Sequence, residues 1–478
     1  MTIAATRPGT APVPPGGAPN GTPGGRPSRA LTAVYVAGAV TALGTQMTML
    51  ALPWLVLETT GSATRAGLVF AAQVLPMALL GFAGGEVIQR LGARRTMVVS
   101  DLARAPVVAL IPLLQTLGAL NLAVLVAIVA ALGALAVPYY AAQRVLAMEL
   151  LSPHARSLAR ANSALGGVQN GSAFAGPALA GALIPLVGTT SVVWLDAATF
   201  AFSGLLLLRR VPAGGGGAGG SAAGPRGVWA GVRHLCGDWF LSRAMLSTVV
   251  FGLMLRTLMI TMPVLAFARF EGDARVGGLL IAAVGAGGLV GSVAAYALAA
   301  RVAPVRLACT ALVWVALPLW MLLVPVPASV LVVAIGLSSA AVPLANAPLM
   351  GLLSARLPDG FGPKVLQAVI TIGTLAGPLG FLAAGAVLDR AGVAAALWGV
   401  AALATFGSGN LILALRRLQA TEDPDLVAPS RSRPVLPAQD TGGDGHGPRR
   451  EIRISRHPGD RRRRPSARQG VRPAPPGR

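Results

Sequence analysis

The chain has 478 residues, of which 54% are hydrophobic and only 12% are charged. A soluble domain carries about 25% charged residues, so this composition excludes an ordinary water-soluble fold. The net charge of +22 does not indicate nucleic-acid binding, because the arginines lie in short segments between apolar runs and near the C-terminus, without interleaved aromatic residues.

The N-terminal half begins with residues 1–30, which are rich in Gly, Pro and Ala and lack the apolar core of a signal peptide. We expect them to form a disordered cytoplasmic arm. Six apolar segments follow, each able to cross a hydrocarbon layer about 30 Å thick as a helix. They cover residues 31–57, 66–85, 96–117, 120–141, 162–185 and 191–208. The sequence therefore predicts a six-helix bundle over residues 31–209.

The second half follows a break at residues 210–243, whose Gly-rich run at 213–220 is typical of a flexible linker. Six further apolar segments predict a second bundle over residues 244–416. They cover residues 244–268, 276–299, 304–324, 328–353, 365–388 and 392–415. The fold class predicted is an all-α polytopic membrane protein with twelve transmembrane helices. Residues 417–478 are rich in Arg and Pro and are expected to be a disordered tail, whose run Arg461–Arg464 is also suited to anionic lipid.

The basic residues between the segments predict the orientation, because cytoplasmic loops carry an excess of Lys and Arg. With the N-terminus inside, the inner segments hold fifteen basic residues and the outer ones four. The inner set is Arg90, Arg94, Arg95, Arg144, Arg156, Arg160, Arg209, Arg210, Arg226, Arg233, Arg243, Arg301, Arg306, Arg356 and Lys364. The outer set is Arg65, Arg269, Arg275 and Arg390. We expect a multi-pass protein of the plasma membrane with both termini in the cytoplasm.

The loop between the second and third segments carries a recognisable motif. It reads Gly85-Glu-Val-Ile-Gln89-Arg90-Leu-Gly92-Ala-Arg94-Arg95. This resembles the Gly-x-x-x-Asp-Arg-x-Gly-x-Arg-Arg loop of the major facilitator superfamily, with Gln89 in place of the family's Asp. The resemblance implies that the loop latches a cytoplasmic gate. Asp101, with Arg104 at i+3 in the third segment, is a possible partner of the loop arginines. The alternative is that these arginines only set topology.

The fifth segment contains Gly171, Gly176, Pro177 and Gly181. Small residues allow close helix packing and proline adds a bend. The arrangement resembles the glycine–proline motif of family exporters that exchange substrate for protons, although ordinary packing explains it equally. Further stretches resemble the branch that includes macrolide exporters and the exporter of enterobactin. These stretches are Gln46-Met-Thr48, Thr60-Gly61-Ser62, Asp196-Ala-Ala-Thr199 and Asp101-Leu-Ala-Arg104.

Charges and amides inside apolar segments are candidate site residues, because polar groups are costly in lipid and usually face a cavity. Arg256 falls near the middle of the seventh segment, where it could bind an anionic group or balance a carboxylate. Asp196, in the sixth segment, is a candidate proton carrier or a residue at a helix start. Five amides either line a cavity or bond between helices. They are Gln46, Gln73, Gln169, Asn170 and Asn346.

The function predicted is secondary active transport, by alternating access, of a small and largely apolar compound exported in exchange for protons. No enzyme activity, cofactor, metal site or nucleic-acid partner is implied, and a monomer in the lipid bilayer suffices. Two alternatives stay open. One is an uptake symporter of the same fold, and the other is a permease-like sensor that recruits a partner through its tail.

Overall fold

A computed structural model describes residues 29–80, 83–150, 155–212, 237–299, 301–356 and 362–421. The helices of the first half are α1 (Arg29–Thr60), α2 (Ala63–Leu80), α3 (Ala83–Leu91), α4 (Ala93–Thr116), α5 (Leu122–Glu149), α6 (Ala155–Val187) and α7 (Thr189–Arg210). The helices of the second half are α8 (Trp239–Arg269), α9 (Ala274–Ala299), α10 (Pro304–Ala316), α11 (Ala328–Arg356) and α12 (Gly362–Thr421). A 3₁₀ segment, Leu317–Leu323, extends α10.

Eleven helices of the described ranges are long and apolar enough to cross a membrane. The last of these, α12, is interrupted at Gly392, whose φ of 80° and ψ of 175° break the helical path. It therefore forms two arms, residues 362–391 and 393–421, and each is long enough for one crossing. With this break the helices give twelve spans, six in each half, which confirms the predicted fold class.

Local sequence explains several helix ends. The side chain of Asn121 accepts a hydrogen bond from the Val124 amide at the start of α5, and Asp238 does the same for Leu241 at the start of α8. Such caps satisfy amides that have no acceptor within the helix. The predicted second segment is shorter than expected, because α2 ends at Leu80 and α3 is a separate helix that begins at Ala83.

The ends of the molecule differ in composition. The turns at residues 61–62, 117–121, 188, 270–273, 324–327 and 392 lie at one end, which we name the Asp389 end after a residue described below. The opposite end carries most of the arginines and is named the Arg-rich end. The arm, the linker centre and the tail predicted from sequence lie mostly outside the described residues.

Two seams join the bundles at the Asp389 end. In the first, a Cβ on Gly385 of α12 would lie 2.8 Å from the Ala63 carbonyl oxygen of α2, and one on Gly67 would lie 2.6 Å from the Phe381 carbonyl oxygen. In the second, a Cβ on Gly181 of α6 would lie 2.7 Å from the Ala274 carbonyl oxygen of α9. These spacings are too short for any Cβ, so only glycine permits such backbone contact.

Both seams loosen towards the Arg-rich end. Gly167 lies two helical turns beyond Phe174 on the same face of α6, and a Cβ there would meet no described atom within 4 Å. The same holds for Gly373, one turn beyond Gly377 on α12. Among the described residues, the bundles are therefore in close contact at the Asp389 end, and these glycines make no such contact beyond mid-depth.

Candidate transport path

A buried ion pair forms the centre of the N-terminal bundle. Arg104 donates to the carboxylate of Asp101 one turn earlier on α4, and the Arg104 side chain is only 2% exposed. Its guanidinium lies 4.3 Å from the ring centre of Tyr139 and 4.4 Å from that of Phe200. Two aromatic rings and one carboxylate thus compensate for the hydration that the guanidinium loses on burial.

Hydroxyl groups complete the coordination of Asp101. Ser203 of α7 donates to its Oδ2 at 2.5 Å, and Thr41 of α1 donates to the same oxygen at 3.3 Å. The carboxylate is therefore shared by α1, α4 and α7. The predicted pairing of Asp101 with the loop arginines is wrong, because its ion-pair partner is Arg104, which follows it at i+3 within the same helix.

Asp196 lies on α7 about two turns from Ser203, towards the Asp389 end, and is 2% exposed. Thr48 of α1 donates to its Oδ2 at 2.6 Å, and Thr199 approaches its Oδ1 at 3.3 Å. No cation forms a hydrogen bond or ion pair with this carboxyl in the part of the chain that the structure describes. A buried carboxyl held only by hydroxyl donors can bind and release a proton without breaking an ion pair.

The residues of α1 explain how these groups fit. Thr41, Gly44 and Thr48 recur at helical spacing and form one face of α1 towards α4 and α7. A Cβ on Gly44 would overlap the side chains of Asp196 and Thr199. The two threonines donate to the two buried aspartates, and the glycine between them leaves room for the second. This face, which was not singled out from sequence, carries the polar core of the bundle.

The motif loop lies at the Arg-rich end. Gly85, Gln89 and Arg90 belong to α3, and Arg90 pairs with Glu86 of the same exposed helix. Gly92 precedes α4 with φ 77° and ψ 154°, a conformation that favours glycine. The Arg94 side chain donates to the Leu208 carbonyl oxygen at the end of α7, at 2.7 Å. Arg95 is exposed.

The span-five motif consists of packing residues with different partners. A Cβ on Gly176 would lie 2.5 Å from Cβ of Gln46, so this glycine allows α6 to approach α1. Pro177 and Gly181 lie against Gly278 of α9 in the second bundle. Gly171 has no described atom in contact range of a Cβ and faces open space. The motif therefore packs α6 against α1 and against α9 of the second bundle near the Asp389 end.

Arg256 lies on α8 beside the seam between the bundles. A Cβ on Gly377 of α12 would lie 3.4 Å from Val74 of α2 and 3.5 Å from Nε of Arg256. The guanidinium lies 5.4 Å from the ring centre of Phe381. Within the described residues Arg256 makes no hydrogen bond or ion pair, and it does not contact Asp196, whose partners all belong to the first bundle.

Four of the predicted amides lie at the depth of Arg256. At 1.5 Å per residue, Arg256 and these four amides lie about 15 to 27 Å from the Asp389 end of their helices. The four amides are half-buried, make no side-chain hydrogen bond among the described residues and are not enclosed. They are Gln46, Gln73, Gln169 and Asn170. Asn346 is exposed and makes no side-chain hydrogen bond within the described part of the chain.

One apolar cavity of about 640 Å³ lies between α10, its 3₁₀ extension and α11. Trp314, Met321 and Leu337 are among its lining residues. None of the sequence-predicted site residues lines it. The polar groups at mid-depth between the bundles are therefore the better candidate for a transport path.

Asp389 is a residue that the sequence analysis missed. It ends the first arm of α12 and contacts the start of α2 in the other bundle. The signal was present in the sequence, because Gly385-Ala-Val-Leu-Asp389-Arg390-Ala-Gly392 repeats the spacing of the motif loop at Gly85–Gly92. In this second copy the Asp is retained.

Twelve spans in two bundles, closed at one end and with unbonded polar groups between them, define a secondary transporter. The family model of the Major Facilitator Superfamily matches residues 34–269. This match confirms the resemblance to the superfamily that was noted from the motifs. The chain is a transporter rather than an enzyme, and its substrate is a small molecule.

Curated relatives and solved structures support the assignment. The chain is 29% identical over 414 residues to the multidrug efflux pump Tap of Mycobacterium tuberculosis, covering 83% of this chain and 96% of that protein. It is 29% identical over 384 residues to Tap of Mycolicibacterium fortuitum, covering 76% and 90%. The fold is similar to that of the nucleoside transporter NupG, with TM-score 0.65, 10% identity and coverage of 82% and 100%. A bacterial homologue of the iron transporter ferroportin gives TM-score 0.63, 16% identity and coverage of 81% and 98%.

Proposed function

We propose that this protein exports small, largely apolar compounds from the cytoplasm in exchange for protons. The observation that carries the proposal is the 29% identity over 414 residues to proteins named multidrug efflux pumps. The similarity extends through both bundles, so it includes the whole path between them. The protein would carry out this reaction as a monomer in the plasma membrane.

The orientation follows from the arginines. Cytoplasmic segments carry an excess of basic residues, and this supports a cytoplasmic position for the Arg-rich end and for both termini. The bundles are then closed towards the outside and diverge towards the cytoplasm. This is the state in which an exporter takes up its substrate, and rocking of the bundles would release the substrate outside.

Substrate would bind at mid-depth, where Arg256 faces the seam without an ion-pair partner among the described residues. Its guanidinium supplies several donors and no acceptor, so it suits a substrate with a carbonyl, phenolate or carboxylate oxygen. Gln46 and Gln73 supply amide donors and acceptors on the opposite bundle, and the half-buried Val74 adds apolar surface near Arg256. Such a mixture of apolar surface and few polar groups is typical of small-molecule sites.

Proton transfer would use the two buried aspartates of the first bundle. Asp101 is neutralised by Arg104, whereas Asp196 has only hydroxyl partners in the described chain. An isolated charge in the membrane interior costs several kcal/mol, and binding a proton removes that cost. Asp196 is therefore the candidate proton carrier.

The motif loop and span five would support the conformational cycle. Arg94 bonds the start of α4 to the end of α7, and Arg90 pairs with Glu86 on the exposed α3. Gly176, Pro177 and Gly181 would let α6 pack closely in the closed outer seam. These roles predict that bulky substitutions at the glycines slow the cycle.

The test is accumulation of fluorescent dyes and macrolides in an efflux-deficient bacterium that expresses the chain. Export predicts lower accumulation, restored by an uncoupler. Higher accumulation would instead indicate uptake. Unchanged accumulation of every compound, with the protein shown to be in the membrane, would contradict the proposal and favour a sensor. Deletion of residues 418–478 distinguishes a sensor from an exporter, because only a sensor that recruits a partner through its tail should lose function.

A further inference from the structure

The chain contains two copies of one turn at opposite ends of the molecule. The first runs from Gly85 to Gly92 and the second from Gly385 to Gly392, each with the spacing Gly-x-x-x-[Gln/Asp]-Arg-x-Gly. The final glycines share a backbone conformation, with φ 77° and ψ 154° at Gly92 and φ 80° and ψ 175° at Gly392. The fifth position differs, because the first copy has Gln89 and the second has Asp389.

The side chain of Asp389, in the C-terminal bundle, accepts hydrogen bonds from the N-terminal bundle. Its Oδ1 accepts a hydrogen bond from the Ala63 amide at 2.8 Å. Its Oδ2 accepts one from the Thr64 amide at 3.0 Å and one from the Ser62 hydroxyl at 2.7 Å. These are the first amides of α2, which have no acceptor within their own helix. A carboxylate from the C-terminal bundle therefore caps a helix of the N-terminal bundle, where the helix dipole favours negative charge.

The backbone around this contact is fitted to it. Gly385 lies one turn before Asp389, and a Cβ there would lie 3.0 Å from Cα of Thr64. Further along the same seam, the rings of Phe70 and Phe381 stack with centres 4.8 Å apart. The cap can form only when the two helices meet at this end, so it exists in the closed state and is lost when this end opens.

The other copy of the turn has no such contact. Gln89 is exposed on α3 and its side chain makes no hydrogen bond to any described residue. An amide is neutral, so it would interact less strongly than a carboxylate with a helix N-terminus. Of these two turns, only the one at the Asp389 end places a charged cap on a helix of the other bundle among the described residues.

We propose that Asp389 is a gate-positioning residue, whose cap on α2 holds the transporter closed at the Asp389 end and sets its resting state. This role rests on the proposed transport function, whereas the contact between Asp389 and α2 does not. In the absence of substrate, the wild-type protein rests with this end closed. Loss of the carboxylate shifts the equilibrium towards opening at this end.

The test measures a distance rather than transport. Spin labels on Leu117→Cys and Val324→Cys, in a background with Cys236 and Cys309 replaced by Ala, report the separation of the bundles at the Asp389 end. Both positions lie in turns at this end and are exposed by 68% and 44%. Double electron–electron resonance is recorded on the purified full chain in lipid nanodiscs.

We expect a single short distance for the wild type and a second, longer distance in Asp389→Asn. The open-to-closed ratio should rise about tenfold, because the amide has no negative charge and accepts through one oxygen instead of two. Ser62→Ala removes one of three donors and should shift the ratio less, in the same direction. Asp273→Asn is the matched control, because this exposed aspartate accepts only from Arg275 within its own turn.

An unchanged distance distribution in Asp389→Asn would overturn the inference, even if the wild type exports dye. A shifted distance distribution together with absent export would support the role of Asp389 in closing this end and would contradict the proposed function. If Asp389→Asn is not recovered as a folded protein, Ser62→Ala decides, because its loss of a single hydroxyl leaves both backbone donors in place. No shift in that variant would then contradict the gate.

Discussion

Arg104 in the N-terminal bundle is bonded to Asp101 and lies between two rings, whereas Arg256 in the C-terminal bundle contacts one ring and no carboxylate within the described chain. The first cation is enclosed by one bundle, and the second lies at the seam between two. A cation that is satisfied within its bundle stabilises the fold, while a cation without a partner is available to a ligand. The predictions below test this division from its largest expected effect to its smallest.

Replacing Arg104 should have the largest effect, and the effect should be on folding. Arg104→Ala leaves the Asp101 charge buried without its cation, which costs about 3 kcal/mol in the free energy of unfolding. Denaturation of the purified protein in mild detergent measures this loss. The double variant Asp101→Asn with Arg104→Gln should recover part of it, because both charges are then removed. Equal stability of Arg104→Ala and wild type would contradict a structural role.

Replacing Arg256 should affect transport and leave stability nearly unchanged. Arg256→Ala removes no ion pair seen in the described residues, but it removes the donor proposed for substrate. We expect the transport rate at low substrate concentration to fall about tenfold, as one charged hydrogen bond is worth about 1.5 kcal/mol or more. Arg275→Ala, in an exposed turn, is the control and should transport normally. Normal transport by Arg256→Ala would remove this residue from the path.

Replacing Thr48 should have the smallest effect. Thr48→Val keeps the shape of the side chain and removes the hydroxyl that donates to Asp196 at 2.6 Å. The expected loss is about 1 kcal/mol in the free energy of unfolding. Thr310→Val should lose almost nothing, because that hydroxyl is exposed and bonds to carbonyls of its own helix. Similar losses in the two variants would mean that the bond to Asp196 contributes no stability.

Sequence reasoning predicted the spans because length and hydropathy decide membrane crossing, and it located Arg256 and Asp196 because charges within spans are rare. The partners of these charges were not predictable in the same way. Thr41 and Thr48 are ordinary residues of an apolar helix until the packing of α1 against α7 brings them to the aspartates. Whether Asp196 finds a hydroxyl donor depends on the helix that lies opposite, and periodicity within its own helix does not contain that information.

Asp389 is a different case, because its pattern is visible in the sequence whereas its hydrogen-bonding partner could not be predicted from it. The repeated Gly-x-x-x-Asp-Arg-x-Gly pattern is visible in the chain, but the end of α2 that it caps lies more than three hundred residues away. Only the meeting of the two bundles shows that the carboxylate acts as a cap. The motif loop at Gly85–Gly92 is followed by Arg94 and Arg95 of the superfamily pattern, whereas no arginine follows Gly392 at these positions.

The most direct test of proton-driven export is substrate movement in proteoliposomes containing only the purified chain. A pH gradient is imposed across the membrane, and accumulation of a fluorescent dye is followed for wild type and for Asp196→Asn. The account predicts dye movement against the direction of proton flow in the wild type, its loss when the gradient is collapsed, and no gradient-driven accumulation in Asp196→Asn. Dye movement that is equal with and without the gradient, or unaffected by Asp196→Asn, would contradict proton coupling through this carboxyl.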